Sequence, residues 1–413
     1  MPPKGGRARD AGTMAVVATF TFDQARRCVL ERVAESCQVP TTEEVSLLEA
    51  AGRVLAEHVA ADRDYPATAR SVRDGFAVRG ADLPGELRLI GEVRAGESFN
   101  GEVQAAEAVE IMTGAPLPRG ADAVVMVEHV TVSGDRVNVP RTLRAGENVS
   151  PQGCEAQSGQ TLLEPGRRLG FADIAVLATV GRSRVTVFRK PQVAILATGD
   201  EIVDVNETPL DHQVRNSNAQ SLAVQVASAG GCPRILPVAR DVYDATRELV
   251  EQGLRFDLLL LSGGVSAGKY DIVERVLAEL GAEFFFDRVL IQPGQPLVFG
   301  RARDKFFFGL PGNPASTMVT FEVFARAAVE MLGGEKEPML PLLWSRLSQD
   351  FRQKTGLMRF LPARVSPDGS EVSPVRWQGS GDVPAQARAN AFLVTEPERE
   401  TWVAGELIRV LMK

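Results

Sequence analysis

The apolar positions along the chain change period several times, and each change marks an element. Residues 23–37 carry Ala25, Val29, Val33 and Ala34 at helical spacing, which predicts an amphipathic helix. A shorter helical stretch covers 46–51 and stops at Gly52. From Asp64 to Gly153 the helical period is lost. Glycines, prolines and short valine-rich runs such as 123–127 and 130–132 predict a small β domain there. Residues 169–181 return to helical spacing.

From Pro191 the pattern becomes regular. Unbroken apolar runs at 192–197, 234–239, 258–261 and 306–310 predict strands. Between and after them, helices are predicted over 217–229, capped by Ser217, over 243–253, over 271–280, opened by Asp271, and from the last glycine-rich turn to Leu332. Unbroken apolar strands alternating with helices argue for a parallel sheet covered on both faces. After Gly334 the chain turns β-like again, with strands expected at 344–347, 360–365, 392–395 and 407–411. The expected fold class is α/β multidomain: a central, doubly wound, mostly parallel sheet with small β domains on its flanks.

Composition narrows the function classes. At about 100–200 residues per domain, 413 residues suggest about two to four domains. Hydrophobic residues make up 44% and charged residues 24%, enough for an ordinary core. The formal net charge is −7 and bases are mixed with acids, which speaks against a nucleic-acid partner. No apolar run approaches the ~18 residues of a membrane span, so no membrane association is expected. Residues 1–13 read as a flexible tail, with Met14 an alternative start, and the apolar stretch at 15–18 is too short for a secretory leader. Cys28, Cys37, Cys154 and Cys232 form no Cys-x-x-Cys pair, and there are three histidines. A structural zinc site is not expected, and thiols in a reducing cytoplasm are.

Three glycine-rich turns each follow a predicted parallel strand: Thr198-Gly199-Asp200-Glu201, Ser262-Gly263-Gly264-Val265-Ser266 and Pro311-Gly312-Asn313-Pro314-Ala315-Ser316. Ligands of such sheets bind beyond the carboxyl ends of the strands, so these turns should lie near one another. Gly263 and Gly264 let backbone approach a ligand, and their amides suit a phosphate oxygen. Asn313 and Ser316 add side-chain hydrogen-bonding groups. Asp200, Glu201 and Asp271 lie on or beside the turns, where carboxylates facing phosphates suit Mg²⁺, with Glu201 and Asp271 the metal candidates. The competing reading makes Asp271 a helix cap and Asp200 a turn residue; Asp241 and Asp244 equally suit an N-terminal cap.

These turns resemble the signature loops of the molybdopterin-binding fold. Around them, Ser71-Val72-Arg73-Asp74-Gly75-Phe76-Ala77-Val78 and Ile111-Met112-Thr113-Gly114-Ala115-Pro116 are similar to segments of the molybdopterin molybdenumtransferase family, the bacterial relatives of the gephyrin E domain. So are Gly379-Ser380-Gly381, Ala389-Asn390-Ala391 and Ala404-Gly405-Glu406 near the C-terminus. The resemblance runs from about Phe20 to the end of the chain. It implies a tail at 1–19, a linking domain from 20–63 and 154–190, an inserted β domain at 64–153, the molybdopterin-binding domain at 191–335 and a closing β domain at 336–413. It also implies a cytoplasmic homodimer that inserts molybdate into adenylylated molybdopterin, releases AMP and uses Mg²⁺. The adenylyltransferase that makes this substrate is the implied transient partner. By position, Asp74, Glu201, Asp271 and Asp241 are the implied catalytic residues, and Thr113, Gly114 and Ser380 join the three turns in binding substrate.

The departures from the family pattern cluster. Where the family carries lysines, this chain has Gln292 and Gln295, and the arginine of a Gly-Arg-x-x-Phe motif is Leu357. A dianion prefers fixed cations, and neutral donors are roughly half as strong. Gln292 and Gln295 still offer amide donors. Arg73 and Arg359 are either compensating cations or ordinary surface arginines. Two other functions stay open on these residues: a non-catalytic molybdopterin-binding paralogue or scaffold with a degenerate molybdate site, and an adenylyltransferase-like enzyme on the same central fold.

Overall fold

The computed structural model describes residues 19–36, 40–263 and 272–413. The chain divides into two compact units: Glu44–Ala51 with Leu55–Thr186, and the remainder, chiefly Val187–Lys413. Among the described residues, no helix is long and apolar enough to cross a membrane.

The larger unit is organised by a seven-stranded sheet. Its strands lie in the order Thr19–Phe20, Glu283–Val289, Pro296–Ala302, Lys305–Leu310, Leu258–Ser262, Gln192–Ala197 and Cys232–Ile235. The last four run parallel, as the apolar runs predict. Side chains alternate between the faces with the period of a strand. Val193, Ile195, Leu258, Leu260, Phe306 and Phe308 pack under Ala219, Leu222 and Val226 and against Phe22, Ala25 and Val29. Ala194, Leu196, Leu259, Leu261 and Phe307 pack instead against Val250, Leu254, Val273, Val276 and Leu277. Two covered faces explain why these strands contain no polar alternation. Truncating a fully buried residue such as Leu260 to alanine costs about 2–5 kcal/mol.

Several sequence expectations shift. The strand expected at 234–239 occupies Cys232–Ile235, and Ala239 rejoins the sheet in an isolated bridge to Thr198. Pro237, which has no N–H to donate, interrupts the ladder between them. The antiparallel hairpin of Glu283–Val289 and Pro296–Ala302 was not predicted. The helix Ser217–Ser228 is capped by Asn216, whose side chain accepts from the Ala219 amide at 3.1 Å, and not by Ser217. Neither Asp241 nor Asp244 caps the helix Tyr243–Gly253. Val242 holds the cap position, without a side-chain bond, and Asp244 falls in the first turn. Pro314–Thr320 begins the last helix of the sheet domain with Asn313 at its cap and proline in its first turn, and a π-helical segment, Phe321–Ala325, joins it to Arg326–Leu332.

Toward the C-terminus, Met358–Val365, Glu371–Pro374, Leu342–Leu347, Leu407–Met412 and Ala391–Thr395 pair in sequence around a ring, which closes through the pairing of the first with the last. Closure leaves its core, including Leu393, Val410 and Trp402, shielded from solvent. Ile291–Gln292 adds to this ring in parallel register with Met358–Arg359.

The smaller unit contains a six-stranded sheet in the order Ala123–Met126, Gly75–Val78, Glu107–Ile111, Gly85–Val93, Arg136–Val139 and Thr131–Ser133. Phe76, Val78 and Val125 pack on one face, and Ala77, Val109 and Val124 on the other.

Candidate functional site

The carboxyl ends of three parallel strands meet, as the topology requires. Thr198 donates its amide to the Ser262 carbonyl at 3.1 Å, and Gly263 donates to Leu310 at 3.3 Å. Gly263 has φ +89°, and a Cβ there would stand 2.8 Å from the Thr198 carbonyl oxygen. Glycine is therefore required both by conformation and by space. A Cβ on Gly312 would stand 3.7 Å from the Gly263 Cα, so these two glycines are neighbours. Ser262 and Ser316 are buried.

Asn218, which the sequence reading did not single out, ties the turns together. Its Nδ2 donates to Ser262 Oγ at 2.9 Å and to the Gly312 carbonyl at 2.8 Å. Its Oδ1 is buried and accepts no hydrogen bond among the described residues. The Thr198 hydroxyl, on a residue only 6% exposed, is likewise buried without a partner among the described residues. Orphaned polar atoms at strand ends are costly unless a ligand or water completes them.

The Pro311–Ser316 turn is fixed from both sides. Thr317 donates its hydroxyl to the Pro311 carbonyl at 2.5 Å and to that of Asn313 at 3.1 Å. Asn313 makes no capping bond with its side chain, leaving the amide free to face outward. Pro314 lacks an N–H, and the Ala315 amide donates to the Ser380 carbonyl at 2.9 Å. Ser380 thus joins this turn through its backbone.

The acids separate by function. Asp200 Oδ1 accepts the Asp241 amide at 3.1 Å, and Arg240 donates to the Asp200 carbonyl at 2.8 Å and to that of Ile202 at 3.3 Å. The turn reading of Asp200 is therefore the one its contacts support. These bonds, with Gly199 donating to the Ala239 carbonyl at 3.1 Å, lay the 198–202 and 239–241 segments side by side. Glu201 and Asp241 are exposed, and neither carboxylate has an ion pair among the described residues. Gly199 has φ +137°, and the Glu201 Cδ lies 2.8 Å from where a Cβ would project, so Glu201 folds back over a cradle that only glycine leaves open. No group of three or more metal-ligating side chains is present among the described residues. Two carboxylates on adjoining turns fit a Mg²⁺ ion that keeps water and takes its other oxygens from substrate, not one enclosed by protein. Gly264, Ser266 and Asp271 lie outside the described residues.

Gln292 and Gln295 flank Gly294, whose φ is +103°; a Cβ there would stand 3.5 Å from the Ser316 carbonyl oxygen, so this loop lies against the helix that starts at Pro314. Gln295 accepts the Val289 amide at 3.0 Å through its carbonyl. Arg359 is no surface arginine, being 5% exposed.

The smaller unit has its own cluster. Asp74 Oδ1 accepts from the Thr113 amide at 2.6 Å and from its hydroxyl at 2.7 Å. Those two bonds, the amide first, hold the Asp74 carboxyl below the ordinary carboxylate range. Gly114, at φ +84°, donates to the Ser71 carbonyl at 2.8 Å and closes the turn.

Comparison with known proteins gives the same order of parts. Three family models match: "MoeA N-terminal region (domain I and II)" over residues 20–181, "Probable molybdopterin binding domain" over 194–331 and "MoeA C-terminal region (domain IV)" over 345–412. The molybdopterin molybdenumtransferase of Bacillus subtilis is 34% identical over 385 residues, covering 90% of each chain. A crystal structure of the molybdopterin biosynthesis moeA protein of Pyrococcus horikoshii OT3 superposes with a TM-score of 0.80 at 27% identity, covering 96% of this chain and all (100%) of that one. A second Pyrococcus structure of that protein gives 0.74 at 30% identity, covering 96% and 99%.

Proposed function

Because the chain belongs to the molybdopterin molybdenumtransferase family, we propose that it inserts molybdate into adenylylated molybdopterin and releases AMP in a Mg²⁺-dependent reaction. The observation that carries this reading is the convergence of three strand ends, two of them tied by Asn218, with the Asn218 Oδ1 and the Thr198 hydroxyl left without a partner among the described residues.

Gly263 and Gly312 present bare backbone on which a phosphate-bearing ligand can rest without meeting a Cβ. Thr198 and Asn218 orient it through their unspent polar atoms, and Asn313 and Ser380 bound the same surface. Glu201 and Asp241 would hold Mg²⁺, with Asp271 as a further ligand. When bound, the ion neutralises charge on the phosphate anhydride. Asp200 and Arg240 set the positions of those two carboxylates. Holding substrate still against fixed groups lowers the barrier further. Asp74 and Thr113 serve as a preassembled polar pair for the same reaction. We further propose a cytoplasmic homodimer that receives its substrate from the molybdopterin adenylyltransferase.

The neutral side chains at Gln292, Gln295 and Leu357 favour a second reading, a molybdopterin-binding paralogue without transfer activity. AMP release from adenylylated molybdopterin separates the two: a transferase releases AMP in the presence of Mg²⁺ and molybdate, and a binder retains the substrate intact.

A further inference from the structure

Gln225 stands two turns after Asn218 on the same face of the helix Ser217–Ser228. Its side chain repeats the Asn218 pattern. Nε2 donates to the Met318 carbonyl at 3.1 Å and to Glu322 Oε1 at 2.7 Å, and Oε1 is buried without a partner among the described residues. A carbonyl and a carboxylate only accept, so the amide has one workable orientation. Asn218 grips the Gly312 carbonyl at 2.8 Å in the turn before Pro314, and Gln225 grips the helix that leaves that turn. One face of one helix therefore holds the same downstream segment at Gly312 and again at Met318 and Glu322.

The second grip is the firmer one. Glu322 Oε2 meets Arg326 at 2.8 Å, and Arg326 Nε meets Glu330 at 2.9 Å, so the acceptor offered to Gln225 is itself fixed. A bond to a carboxylate is shorter and stronger than one between neutral groups. Glu322 also lies where the winding changes, in the π-helical Phe321–Ala325 that follows Pro314–Thr320. Single wide turns of this kind are frequent at functional sites. Ala219, Leu222, Val226, Val319 and Phe321 share one apolar core. Such burial is non-directional, so it does not fix the two helices lengthwise, whereas directed hydrogen bonds do.

We propose that Gln225 is a positioning residue for the transfer reaction. Through Glu322 and the Met318 carbonyl it sets the lengthwise register of Ser217–Ser228 against the helix from Pro314, and thereby the place where Asn218 and the Gly312 turn meet substrate. The register rests on the geometry alone; its effect on turnover rests on the proposed transferase reading. Gln225 acts through Asn218, which is about 10 Å away along the helix at about 1.5 Å per residue. A misplacement of about 1 Å at the reacting groups is enough to cost about two orders of magnitude in rate, so a remote register contact can govern turnover.

The test separates register from packing. Gln225→Met keeps the length of the side chain and removes both donors. Glu322→Leu removes the carboxylate acceptor, leaves Arg326 paired with Glu330, and stands in should Gln225→Met fail to fold. Glu322→Gln retains an acceptor. Val226→Ala, at a fully buried apolar position next to Gln225, is the reference for lost packing alone. Each is made in the full chain, together with the Gln225→Met, Glu322→Leu double variant. Three quantities are read: Tm, kcat/KM for AMP release from adenylylated molybdopterin with molybdate and Mg²⁺, and amide hydrogen exchange across residues 310–317. Gln225→Met and Glu322→Leu are expected to lower kcat/KM about tenfold, the double variant no further, and Glu322→Gln to stay within about twofold of the parent chain. Exchange across 310–317 should quicken about tenfold in the same impaired variants. Val226→Ala should lower Tm at least as much and leave the other two readouts unchanged. The proposal is overturned if kcat/KM follows Tm across all the variants, Val226→Ala included, or if exchange across 310–317 is unchanged in Gln225→Met and Glu322→Leu. Absence of AMP release from the parent chain would instead count against the transferase reading, and the exchange result then decides the register by itself.

Discussion

Asn218 joins Ser262 and Gly312, residues 44 and 94 positions away, through the two hydrogens of one amide nitrogen. One side chain thus sets the separation of two strand-end turns. A net hydrogen bond is worth about 0.5–1.5 kcal/mol, so Asn218→Ala should cost about 1–3 kcal/mol of stability. The loss in kcat/KM should exceed what that destabilisation explains, because the turns lose their common anchor while the sheet remains. Thermal unfolding and AMP-release kinetics on the same preparation check this. A variant with lowered Tm and unaltered kcat/KM would mean that Asn218 only stabilises.

Asp74 offers a pH-dependent test. Its folded pKa lies below its unfolded value, because the charged form accepts two bonds from Thr113. The sign follows from linkage: this stabilisation is complete above the unfolded Asp value of about 3.9 and is lost as pH falls through the folded value. The difference in Tm between the parent chain and Asp74→Asn should therefore be largest at neutral pH and shrink in acid. A gap that stays constant with pH would show that the charge contributes nothing.

The separation of the acids predicts an order of effects on metal use. Glu201→Gln and Asp241→Asn should each raise the Mg²⁺ concentration for half-maximal AMP release by about tenfold, as expected when one of few protein oxygens is lost. Asp200→Asn should change it less, because that carboxylate is engaged by the Asp241 amide. Titration of Mg²⁺ after treatment with chelator reads all three. A larger effect at Asp200 than at Glu201 would reverse the assignment.

The parallel core was legible because strands covered on both faces carry unbroken apolar runs, as at 193–197 and 258–261. The hairpin at Glu283–Val289 and Pro296–Ala302 was not, because its first strand sits near the sheet edge and mixes Phe284, Phe285 and Phe286 with Asp287 and Arg288. Glu371–Pro374 is too short, with one fully buried side chain, to register as a period.

In the site, glycine-rich turns after apolar strands carried the signal, since Gly263 is needed by local geometry and Gly312 lies beside it. Asn218 was invisible for the opposite reason. It lies in the first turn of a helix whose opening residues read as capping groups, and its partners are distant in sequence. Arg359 was noticed only as a choice between a compensating cation and a surface arginine, and burial, which sequence does not show, excludes only the second. The roles of Gly264, Ser266 and Asp271 remain expectations carried by the motif.

The most direct measurement is turnover by the purified full chain supplied with adenylylated molybdopterin, molybdate and Mg²⁺, following AMP and reconstitution of an apo-molybdoenzyme together. The account predicts that both appear, that both depend on molybdate and Mg²⁺, and that neither appears with Glu201→Gln at low Mg²⁺. Tight binding of the substrate with no AMP and no reconstituted enzyme would contradict it.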